Sequence, residues 1–158
     1  MRTKDEILAR YASIDNILQS LLNLNDQIWF IPIQLDKWST SEIVAHILFW
    51  DRFILERLSL LQSQKCLTKA NINVDEFNRK SANYAKSGVA KDELIQQFQE
   101  ARFSLIHFLE AFSEEDFSKI YMIQDKNQSL QDYMNAMVDH DNFHFNQITT
   151  FLIEKGHY

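Results

Sequence analysis

Two glycines and one proline in 158 residues leave this chain few of the residues that make tight turns. β-Proteins need such residues at many turns, so their scarcity favours long helices joined by few connections. The apolar periodicity agrees. Thr3 and Glu6 stand at capping-box spacing, and Ile7, Tyr11, Ile14, Leu18 and Leu21 then fall on one stripe, which predicts a helix over residues 3–24. Residues 25–37 hold the only proline, Pro32, and keep no helical period, so they read as a long connection packed over one end. Ser39 and Glu42 form a second capping box, and Ile43, His46, Trp50, Ile54 and Leu58 carry a helix to about residue 62. A polar stretch, 65–73, precedes a short helix over 74–87 with Phe77 and Tyr84, stopped by Gly88. The third long helix is expected over 91–112, with Leu94, Phe98, Ala101, Leu105, Phe108 and Phe112 inward. Residues 113–128 read as a mixed connection. The last helix starts at Ser129, with Asp132 at capping distance, runs to about residue 154 and is ended by Gly156.

Four helices of roughly 20 residues, each with one apolar face, bury those faces most simply as a four-helix bundle. The expected fold is therefore all-α, one domain over residues 1–158. None of the connections is a tight hairpin, which leaves room for crossovers.

The formal net charge of −6 argues against nucleic acid and acidic membrane surfaces as partners and leaves small neutral or cationic ligands. The first residues include Asp5 and Glu6 where a secretory signal needs an apolar run, and no apolar stretch approaches membrane-spanning length. The expected location is the cytoplasm. A lone Cys66 fits a reducing compartment and reads as an ordinary free thiol near a loop.

The stripe of the last helix reads Tyr133, Met137, His140, His144, Ile148 and Phe151. Residues four apart lie about 40° from each other around the axis, so the two imidazoles share the apolar face. Burying an unpartnered polar ring costs about 1–3 kcal/mol, and two rings double the burden. His-x-x-x-His is a spacing at which two nitrogens reach one metal ion, and His46, on the inward stripe of the second helix, supplies a third ligand. Each ring alone is more often a hydrogen-bonded core residue than a ligand; the three together favour a shared divalent cation. Three ligands leave a coordination position open, where zinc can lower the pKa of bound water toward ~7 or present a thiolate to an electrophile. Asp141 is expected to be solvated or to orient a ligand ring, and Asp51 and Glu56 to be surface charges. His107 and His157 read as surface or packing residues. Other chemistries find no support: dinuclear carboxylate bundles need Glu-x-x-His on two helices, which this chain does not have, and His-Glu-x-x-His is missing. Two glycines cannot build a phosphate loop.

The segment "KWSTSEIVAHILFWDRFILERL" resembles the second-helix region of the DinB-like superfamily, where a Trp-Ser start leads into a helix with one inward histidine. "DHDNFHFNQI" resembles its last helix, and "VDEFNRKSANYAKSGVAKDELIQQFQEARFSLIHFLEAFSEEDF" its middle, so the similarity spans most of the chain. The resemblance implies a bundle of non-simple helix order, a homodimer, and a divalent metal, zinc or nickel, held by His46, His140 and His144. That superfamily includes thiol-dependent S-transferases and isomerases, metal-dependent hydrolases, and damage-inducible proteins of undefined activity. A small-molecule electrophile, attacked by water or a low-molecular-weight thiol in detoxification or stress, is the expected substrate class. The alternative is a bundle that binds a metal or small ligand without turnover. A related group, linked to self-protection against a genotoxin, shares the "EFN" style of middle segment and lacks the full histidine set.

Overall fold

A computed structural model describes residues 1–64 and 66–157. In chain order its elements are α1 (Lys4–Ala12), α2 (Asp15–Leu22), α3 (Asp26–Phe30), α4 (Thr40–Gln64), β1 (Cys66–Leu67), α5 (Val74–Ala85), α6 (Lys91–Glu110), α7 (Glu114–Ser118), β2 (Ile120–Ile123), β3 (Lys126–Ser129) and α8 (Leu130–Glu154). Positions 65, in the expected polar stretch, and 158 lie outside the described residues.

The three capping boxes form as the spacing predicts. Thr3 and Glu6 exchange side-chain and backbone hydrogen bonds at α1, and Ser129 and Asp132 do so at α8. At α4, Ser39 N donates to the Glu42 carboxylate at 2.9 Å and Glu42 N donates to the Ser39 hydroxyl at 3.3 Å.

The expected helix over 3–24 is broken into α1 and α2. The Ser13 hydroxyl donates to the Arg10 carbonyl at 2.8 Å, and Ser13 N donates to the same oxygen at 3.2 Å. That acceptor is the one a continuous helix would offer to Ile14, so the ladder skips a step there. The stripe survives the break, with Ile7, Tyr11, Ile14, Leu18 and Leu21 all buried.

Both expected connections hold more structure than their composition suggests. Residues 25–37 contain α3, capped by the Asn25 side chain, which buries Trp29 completely. Residues 113–128 contain α7 and the β2–β3 hairpin, and Cys66–Leu67 adds a parallel strand beside β2. The two hairpin loop residues, Gln124 and Asp125, both have positive φ, 53° and 61°. That is the backbone of a type I′ turn, normally announced by Asn-Gly or Asp-Gly. Here tertiary hydrogen bonds hold it: Gln124 N donates to Leu67 O at 2.7 Å, and Asp125 Oδ1 accepts from Lys69 N at 3.0 Å.

Four long elements make the bundle: the α1/α2 pair, α4, α6 and α8. Around the bundle α1 packs on α6, α6 on α4, α4 on α8 and α8 on α1, so chain neighbours α1/α2 and α4 face each other diagonally, as do α6 and α8. One apolar cluster takes the start of α4 (Ile43 to Leu48), the start of α6 (Leu94 to Ala101) and the end of α8 (Ile148 to Leu152). A second takes the end of α4 (Ile54 to Leu61), the end of α6 (Leu105, Leu109) and the start of α8 (Leu130 to Val138). Hence α4 and α6 run parallel, and α8 runs against both. Parallel neighbours need a crossover, supplied by α5 as it carries the chain back along α4. The bundle is thus the crossover form of a four-helix fold, with a small sheet at one end. No helix among the described residues is long and apolar enough to cross a membrane.

Candidate metal centre

His46 leaves α4 near the top of its inward face, and His140 and His144 leave consecutive turns of α8, which runs antiparallel beside it. One nitrogen from each ring comes together so that all three lie within 4.8 Å of one another. Nε2 of His46 and Nε2 of His140 are 3.1 Å apart. Two imidazole nitrogens on a tetrahedral ion, with bonds of about 2.0–2.1 Å, stand roughly 3.3 Å apart, so the pair already has the spacing of shared ligands.

The donor chemistry fits as well. Imidazole binds metals in its neutral form. Burial holds His46 neutral, pushing its pKa down to about 3, with positive charge on His144 or His140 adding to the effect. Burial, then the proximity of His140, also lowers His144. His144 Nδ1 lies 2.9 Å from Gln147 Oε1, an oxygen that can only accept, so the Nδ1–H donates and Nε2 keeps the free lone pair. His46 Nδ1 is buried with no hydrogen-bond partner among the described residues.

Aromatic rings wall the cluster. Trp38 lies 4.8 Å from the His46 ring and stacks at 6.3 Å and 25° on His144. Trp50, one turn beyond His46, lies 6.2 Å from it and 6.3 Å from His140, and its Nε1 donates to Asn78 Oδ1 at 3.2 Å. The opening to solvent is on the His140 side, whose side chain is 31% exposed while His46 is 3% exposed. A cavity of about 300 Å³, lined among others by Ile33, Lys37, Phe143 and Gln147, reaches the residue that orients His144.

Below the histidines lies a group the periodicity did not single out. Arg102, from the inward face of α6, donates through Nε and Nη2 to both carboxylate oxygens of Asp51 at 2.7 and 3.1 Å, and its Nη2 forms an ion pair with Asp141 Oδ2 at 2.6 Å. The guanidinium also sits 4.3 Å over the Tyr11 ring. All four bundle helices contribute to this polar layer, which separates the two apolar clusters. One expectation is corrected, and one of the two roles left open for Asp141 is excluded. Asp51 is no surface charge: it is buried, and complete desolvation raises its carboxyl to about 7 despite Arg102. Asp141 is not solvated: burial pushes its carboxyl up, but Arg102 and the His140 ring outweigh this and hold it below the ordinary value. Its Oδ1 lies 3.7 Å from His140 Nδ1. The signal for Arg102 was its place four residues after Phe98 and three before Leu105, a charge on an apolar stripe. Glu56, His107 and His157 are exposed, and Cys66 is half-buried in β1.

Comparison with known proteins gives a match between residues 10–148 and the family model described as the DinB superfamily. Curated proteins give no significant match. Among solved structures, YfiT from Bacillus subtilis, described as a probable metal-dependent hydrolase with an unusual four-helix bundle topology, superposes with a TM-score of 0.80. The identity is 17%, over 97% of this chain and 87% of that one, which is a likeness of fold.

Proposed function

The chain belongs to the DinB superfamily, and from that membership together with the converging imidazoles we propose that it is a metal-dependent enzyme acting on a small electrophile. His46, His140 and His144 hold one divalent cation, zinc or nickel. When bound, such a cation supplies Lewis acidity, which makes water or a low-molecular-weight thiol nucleophilic near neutral pH. Gln147 keeps His144 in the tautomer whose Nε2 is free. Trp38 and Trp50 exclude water from the flanks of the cluster, and the His140 side is the approach for substrate. Hydrolysis is the first reaction to test, in keeping with the description given to the YfiT structure, and thiol conjugation the second. We place this activity in detoxification or stress, in keeping with the resemblance to the superfamily.

The observation that carries this reading is that three ring nitrogens, from two helices, lie within 4.8 Å of one another in a largely buried setting. Metal analysis of protein purified without an affinity tag tests it. Stoichiometric metal, lost in His46→Ala and His144→Ala, supports the site. Metal-free protein whose melting temperature does not respond to added zinc or nickel overturns it. Turnover of ester or thiol-acceptor substrates should then follow metal content. The identity of the metal in one preparation reflects supply during expression as much as preference, so competition between metals is needed to assign it.

A further inference from the structure

We propose that Arg102 is the positioning residue of the histidine site, bridging Asp51 on α4 and Asp141 on α8 so that the two ligand-bearing helices stand at the separation where His46 meets His140 and His144. This rests on the metal reading above. Asp51 follows His46 by five residues, about one and a half turns, and Asp141 directly follows His140. Arg102 pairs with both carboxylates, donating to Asp51 at 2.7 and 3.1 Å and forming an ion pair with Asp141 at 2.6 Å, from a side chain only 3% exposed. A planar guanidinium with a fixed fork of donors tolerates little change in the position of either partner. Tyr11 from α1 and Phe98 from α6 hold it, 4.3 and 5.2 Å from their ring centres.

Stability alone does not account for such a group. Buried charge arrays are commonly no more stable than apolar residues of the same volume, and their best-attested use is to impose one register on packed helices. The register imposed here is that of α4 against α8, and α6 supplies the bridge while carrying no ligand of its own. Asp141 also stands beside a ligand ring, its other oxygen 3.7 Å from His140 Nδ1, a charge contact longer than a hydrogen bond.

The test compares wild type, Arg102→Lys, Arg102→Met and Leu109→Ala by Zn²⁺ affinity, in competition with a chromophoric chelator, and by the absorption spectrum of the Co²⁺ form. Lysine keeps the charge without the fork; methionine keeps the length without the charge. Leu109 lies in the apolar cluster away from the histidines, so Leu109→Ala weakens the fold without touching the array. Both Arg102 variants should lose about 10–100-fold in affinity and change the Co²⁺ spectrum, while Leu109→Ala keeps both wild-type values. Folded Arg102 variants with wild-type affinity and spectrum overturn the inference and leave the metal reading intact. Wild-type protein that binds neither cation overturns the metal reading and this inference with it. If neither Arg102 variant folds, Asp51→Asn decides in the same way, with lower affinity expected and unchanged affinity overturning.

Discussion

Nε2 of His46 lies 3.1 Å from Nε2 of His140, although 94 residues separate them in the chain. His46 sits where an apolar side chain would pack without cost, and His140 stands at the half-exposed edge of the cluster. Their meeting depends on α4 and α8 being antiparallel neighbours with the histidines at matching heights. A cation is the partner that such an arrangement of lone pairs suits best.

The pH dependence of the metal-free protein should carry the mark of His46. Its folded pKa, about 3, lies below the value near 6.5 of an unfolded chain. Above pH ~6.5 the ring is neutral in both states and its contribution is complete. As pH falls toward 3, the unfolded chain takes up a proton that the folded protein refuses, and stability is lost. Asp51, whose carboxyl is raised by burial, acts in the opposite sense. The wild-type and His46→Gln proteins share that term. Urea unfolding of both from pH 7.5 to 4.5, under chelator, should therefore show the wild type losing more. Parallel curves would mean that His46 is not held neutral.

Gln147→Ala should lower zinc affinity by about 10–100-fold, since His144 loses the acceptor that sets its tautomer. The residue is only half-buried, so the metal-free melting temperature should barely move. Competition titration and thermal melts on the same preparations separate the two effects.

Ser39→Ala removes the cap of the helix that carries His46. Its hydroxyl accepts from Glu42 N and contacts Ser41 and the Glu42 carboxylate, all buried. A loss of about 1–2 kcal/mol in urea unfolding is expected. An unchanged midpoint would show that the Glu42 carboxylate, which also pairs with Lys86, caps the helix without help.

Gln124→Asn should stabilise the hairpin by about 0.5 kcal/mol, because asparagine tolerates the left-handed backbone better than glutamine. The hydrogen bond that Gln124 N donates to the Leu67 carbonyl is made by the backbone and survives the change. Zinc affinity should be unaltered, as the sheet lies at the end of the bundle away from the histidines.

Helix by helix, the chain was legible. The caps at Thr3, Ser39 and Ser129 and the stops at Gly88 and Gly156 act within a turn or two, and the apolar stripes mark which face turns inward. For the same reason His46 and His144 could be placed on buried faces before any fold was known. What escaped were features whose cause lies elsewhere in the chain. The Gln124-Asp125 turn lacks its usual residues because Leu67 and Lys69 hold it. The break at Ser13 turns on whether one hydroxyl takes a carbonyl that Ile14 could have used.

Periodicity by itself determined that these residues make amphipathic helices with histidines facing inward, since that information resides in neighbours three and four apart. Only the tertiary structure decided that α4 and α6 run parallel, that Asp51 and Asp141 are buried on Arg102, and that three imidazoles approach within 4.8 Å. The physical reason is that a stripe specifies which face of a helix is buried and says nothing of which helix it meets. That choice belongs to the crossover connections and to packing across the whole bundle, where one buried guanidinium needs both of its carboxylates in place at once.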